Sequence, residues 1–87
     1  MPGGIVFSRH SLFKIEILRS HGVDISKGAV EDAVRSPDKT DRGYAGRLIA
    51  QKSMDDAHVL RVVYEDVPEG KLVVTMYPAR KSRYAKD

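Results

Sequence analysis

Apolar positions change their spacing twice along the chain, and the changes predict its elements. A short apolar run, "GIVF" at 4–7, reads as a brief edge strand. Ser8 then caps a helix that runs to about His21, with Gly22 ending it in a left-handed conformation. His10, Phe13, Ile17 and His21 share one stripe of that helix, while Leu12, Ile15 and Leu18 fall elsewhere around it. The helix is therefore apolar on several sides and only weakly amphipathic. A second helix follows Ser26, with Ala29, Val30, Ala33 and Val34 on one face and Pro37 marking its end. The few residues between the helices favour a helical hairpin or corner.

After a polar, turn-forming stretch at 37–43, the pattern changes to strands at 44–53, 57–65 and 71–78. "MDDA" and "DVPEG" are hairpin-length connections rich in turn residues. In the middle strand Leu60, Val62 and Tyr64 point one way, and Val59, Arg61 and Val63 the other. Both faces are largely apolar, so this strand is expected at the centre, with Arg61 as the exception. Pro78 is expected to stop the last strand. The expectation is an α+β fold: two N-terminal helices packed on one face of an antiparallel sheet of three to four strands.

Eighty-seven residues make one domain with a thin core, spanning 1–87 with a short basic tail from about 79. Without cysteine there is no disulfide framework, thiolate nucleophile or cysteine-ligated zinc. The N-terminus does not read as a secretory signal, and no apolar run is long enough for a membrane span. A cytoplasmic location is the default expectation.

The net charge of +3 is unevenly placed. Through Tyr77 the chain carries 11 basic and 11 acidic residues, so the excess lies in the last ten, with Arg80, Lys81, Arg83 and Lys86 against Asp87. A neutral body with one basic end suggests a local anion site, and a solvated tail is the plain alternative. His10, His21 and His58 lack metal-ligand spacing, and Gly43 and Gly46 make no phosphate loop. No metal or cofactor is expected.

Four stretches, "SRH" at 8–10, "RSHGVDI" at 19–25, "LRVVYED" at 60–66 and "VVTMYPARKSRY" at 73–84, together carry a resemblance. The chain resembles the small proteins of domain-of-unknown-function family 4258 and the related BrnT toxins of the RelE-like superfamily of ribonucleases. The resemblance covers nearly the whole chain, with His21-Gly22-Val23 and Ala79-Arg80-Lys81 as its more specific steps. The family commonly has an arginine where His21 stands before the glycine, and the spacing from His10 to Gly22 is longer here.

The resemblance implies a RelE-like fold and RNA cleavage without metal, in which a ribose 2′-hydroxyl attacks the neighbouring phosphate. Arg80, Lys81 and Arg83 would hold phosphate, Arg61 would support them, His10 or His21 would move protons, and Tyr77 or Tyr84 would stack on a base or donate to phosphate. Each residue has a plainer role. His10 could bond to backbone in the first turn, His21 could complement the helix dipole, and His58 could be structural or simply at the surface. Arg61 could pair with Glu65 or an acidic loop residue, and the tyrosines could supply apolar area to the sheet.

Two function classes follow: an RNA-binding endoribonuclease of the RelE/BrnT type, or a non-catalytic module of that fold binding nucleic acid or a protein partner. A third reading makes the sheet edge a pairing surface for a partner or a second copy. RNA and an acidic antitoxin-like protein are the expected partners, and the chain is expected to be a monomer or weak homodimer.

Overall fold

The computed structural model describes residues 4–84, with side chains through Ser82. Strand β1 (Gly4–Phe7) leads to helices α1 (Arg9–Ser20) and α2 (Lys27–Arg35). Strands β2 (Lys39–Arg42), β3 (Leu48–Ser53), β4 (His58–Val67) and β5 (Gly70–Arg80) follow, then a single helical turn, α3 (Lys81–Tyr84). The strands form one five-stranded sheet in the order β1-β5-β4-β3-β2. Strands β2 to β5 form an antiparallel meander, and β1 pairs parallel with β5. The α+β class holds, but the sheet is mixed and has more strands than expected.

The additional strand is β2, whose sequence Lys-Thr-Asp-Arg sits in the stretch read as a turn. Its residues pair with Leu48 to Gln51, so cross-strand register rather than apolar alternation makes it a strand. Between β2 and β3, residues 44–46 form a tight 3-10 turn, and β3 starts four residues later than the sequence pattern placed it.

Serines start both helices as the sequence predicts. The Ser8 and Ser26 hydroxyls accept the Ser11 and Ala29 backbone N–H groups, each at 3.0 Å. At the end of α1, Gly22 has φ +83°, its N–H donating to the Arg19 carbonyl and the Val23 N–H to that of Leu18. The stripe of His10, Phe13, Ile17 and His21 faces outward, and Phe13 is 63% exposed. Ser11, Ile15 and half-buried Leu18 face the core instead.

Both helices cover one face of the sheet. Ile15, Ile25, Val30, Ala33 and Val34 pack there against Ala50, Leu60, Val62, Tyr64, Val73 and Met76. Val73 and Met76 are three apart yet both fully buried, which simple alternation forbids. A register shift opposite Val63/Tyr64 resolves this, inserting one extra residue in β5. At that bulge the Ser8 hydroxyl donates to the Val74 carbonyl at 3.2 Å, tying the start of α1 to β5.

Pro78 does not stop β5, which continues to Arg80. Strand β1 pairs with β5 over Gly70 to Val73, so among the described residues no strand neighbours Pro78 on that side. A proline fits such an edge because no ladder bond there needs its missing N–H.

Candidate functional site

Strand alternation sends Arg61 to the face turned away from α1 and α2, since Leu60 and Val62 beside it enter the core. The register puts Arg61 between Gln51 on β3 and Tyr77 on β5. Its Nε–H donates to the Tyr77 hydroxyl at 3.1 Å, and its Nη1 donates to the Gln51 amide oxygen. Asp41 Oδ2 lies 3.3 Å from the same Nη1, bringing a carboxylate from β2. Arg61 is 5% exposed and Gln51 4%, so these polar groups are taken from water and satisfied by one another.

Of the two kinds of partner weighed for Arg61, the acidic residue of the stretch read as a loop is the one found, Asp41, while Glu65 faces Arg47 at 3.6 Å. Buried, with its charge opposite Asp41, Arg61 joins β4 to β2, β3 and β5 and acts as a pin across one face of the sheet. Its guanidinium is occupied by the sheet rather than displayed to a phosphate.

The basic end divides differently. Arg80 is two strand positions from Pro78, so it points to the helical side of the sheet, while Tyr77 and Ala79 point to the Arg61 side. Arg80 is exposed, and its register partner is His58, the first residue of β4. Lys81 is half-buried at the start of α3, with its backbone N–H on the Ala57 carbonyl at 2.8 Å. The backbone of Arg83 belongs to α3, while the side chains of Arg83 and Tyr84 lie outside the described residues. The structure thus separates Arg61 and Tyr77 from Arg80 and associates Arg80 with His58.

His10, in the first turn of α1, and His21, at its C-cap, are both exposed and belong to the helical layer. Neither is on the Arg61 side of the sheet. Gly22, next to His21, lines a cleft of about 360 Å³ with Val23, Asp24, Met54, Asp55, His58 and Pro78. The β3–β4 turn that walls this cleft is organised by Asp55. Its Oδ1 accepts the Ala57 and His58 backbone N–H groups, each at 2.8 Å, and lies 3.0 Å from His58 Nδ1. The Ala57 N–H, foremost, and the His58 ring hold the Asp55 carboxyl below the usual carboxylate range.

Sequence reasoning missed Gln51 and the Asp55–His58 pair, and anticipated Asp41 only as an unspecified acidic loop residue. Gln51 carried a signal, a polar side chain within an apolar strand. Asp41 was one of several acidic residues in stretches read as turns, and only the pairing of β2 with β3 singles it out. The three-residue spacing of Asp55 and His58 at a strand start is the mark of an aspartate-capped turn.

Among the described residues no group of three potential ligands is close enough to hold a metal ion. No described helix is long and apolar enough to cross a membrane. Comparisons with protein-family models, curated proteins and solved structures returned no match.

Proposed function

We propose that this chain is an RNA-binding protein of RelE-like architecture that grips phosphate at the end of β5. The observation that carries this reading is the exposed Arg80 at the end of β5, with Lys81 next in sequence and His58 opposite it. Cations fixed on a strand contact phosphate with little loss of side-chain freedom, and arginine can do so through two parallel hydrogen bonds. The order of elements, a short strand, two helices and then an antiparallel meander, supports the RelE-like reading.

Arg61 and Tyr77 have a supporting role, holding β4 and β5 in the register that puts His58 beside Arg80. His10 and His21 are in the helical layer, away from Arg61, which favours binding over a catalytic set built from those three residues. An acidic protein partner would compete for the same basic end.

The test is binding of a fluorescent single-stranded RNA as a function of salt. Each phosphate contact contributes about 0.7 to the slope of log affinity against log salt. Replacing Arg80 and Lys81 with alanine is expected to lower affinity and flatten the slope by about 1.4. Equal affinity and slope in wild type and variant would exclude this end as the RNA site.

A further inference from the structure

Strand β2 closes the sheet on one side, and among the described residues no strand pairs with its outer edge. The Gly43 N–H donates to the Arg47 carbonyl at 2.8 Å, in step with the β2–β3 ladder. Antiparallel ladders alternate, so Lys39 and Asp41 turn their backbone groups to β3, while Thr40 and Arg42 turn theirs outward. The Asp38 N–H donates to the Gln51 carbonyl at 2.8 Å. The charges along this edge, Asp38-Lys39-Thr40-Asp41-Arg42, are their own complement when a second copy runs antiparallel about Thr40. Lys39 then lies opposite Asp41, and Arg42 opposite Asp38. A two-fold axis one residue away puts Lys39 or Asp41 opposite itself, so the charges favour one register.

We propose that the outer edge of β2 is a self-association surface, where two copies of this chain join their sheets about a two-fold axis at Thr40. Each Thr40 N–H donates to the Thr40 carbonyl of the second copy, and each Arg42 N–H to the Asp38 carbonyl. The residues that must bond across the axis are those the β2–β3 ladder leaves facing outward. Both carboxylates are already held in place. Asp38 Oδ2 accepts the Ser53 N–H at 2.9 Å, and Asp41 Oδ2 lies 3.3 Å from Arg61 Nη1. Side chains fixed beforehand lose less freedom on association. An edge guarded against pairing by charge is served by one sign, whereas here both signs occur at matching positions. Tyr44, 91% exposed, follows at the end of the same edge and offers its ring to the second copy. Strands β3 and β4 separate this edge from β5, so the basic end at Arg80 lies away from it.

So small an interface is expected to bind more weakly than about 1 μM, so the experiment spans about 10 μM to about 1 mM protein. Sedimentation equilibrium reads the oligomeric state, and amide hydrogen exchange reads the edge. Wild type is expected to dimerise, with the Thr40 and Arg42 N–H groups gaining protection as concentration rises and those of Lys39 and Asp41 unchanged. Thr40→Pro removes an N–H that faces solvent in the monomer, so it is expected to fold and to dimerise about 10- to 100-fold more weakly. Arg42→Glu sets like charges opposite Asp38, is expected to weaken the dimer about 10-fold, and serves if the proline variant does not fold. Phe13→Ser, on the exposed face of α1, is expected to dimerise like wild type. A monomer at every concentration, or wild-type association by both edge variants, overturns the proposal. So does a dimer that Phe13→Ser abolishes and Thr40→Pro keeps, which would put the contact on α1.

Discussion

Arg61 and Tyr77 stand opposite one another on β4 and β5, with the arginine Nε–H donating to the tyrosine hydroxyl at 3.1 Å. With Gln51 and Asp41 joined to the same guanidinium, one side chain ties β2, β3 and β5 to β4. Removing it strands polar groups that were desolvated to meet it, and that penalty exceeds the loss of one hydrogen bond. Arg61→Met is expected to cost about 2 kcal/mol, below the usual toll for a buried pair because Asp41 keeps some solvent. Tyr77→Phe should cost about 1 kcal/mol. Urea unfolding at neutral pH measures both, and an unchanged midpoint for Arg61→Met would show that the pin carries no load.

Gly22 ends α1 at φ +83°, and a Cβ built on it meets nothing within 4 Å. Any cost of substitution there is therefore backbone strain, not a clash. Gly22→Ala is expected to lose about 1 to 2 kcal/mol, and Gly22→Asn distinctly less, since asparagine tolerates the left-handed region. Thermal unfolding of the two variants side by side tests that ranking.

Elements set by local chemistry could be read directly from the chain. Ser8, Ser26 and Gly22 bound the helices as predicted, and the apolar residues on both faces of 59–64 identified the central strand. What escaped depends on contacts distant in sequence. Strand β2 exists because Leu48 to Gln51 offer it an edge, and the β5 bulge brings Val73 and Met76 to one face. The basic end was visible as charge, but its division was not. Only the register shows that Arg80 belongs with His58 and Arg61 with Tyr77.

Ala45, in the turn before β3, has φ 60° and ψ 37°, a left-handed conformation that penalises a Cβ. Ala45→Gly relieves that strain and loses part of the gain to the greater freedom of glycine in the unfolded chain. The expected net effect is stabilisation by about 0.5 to 1 kcal/mol. Equilibrium unfolding that shows the glycine variant to be less stable would mean the turn imposes no strain at this position.

Asp55 supplies the pH dependence of the β3–β4 turn. Its folded carboxyl titrates below the usual value because ionisation strengthens the bonds from Ala57 N–H and the His58 ring. The unfolded chain therefore takes up a proton at this residue before the folded protein does. The stabilisation is complete above the ordinary carboxylate range and is lost as pH falls through that range toward the lower, folded value. Asparagine at this position cannot ionise, so Asp55→Asn has no such contribution at any pH. Wild type should be the more stable of the two at about pH 7, with the gap narrowing as pH falls from about 5 to about 3. Parallel urea titrations across that window measure the gap. A difference that stays constant would mean the turn is held by contacts other than the ionised carboxylate.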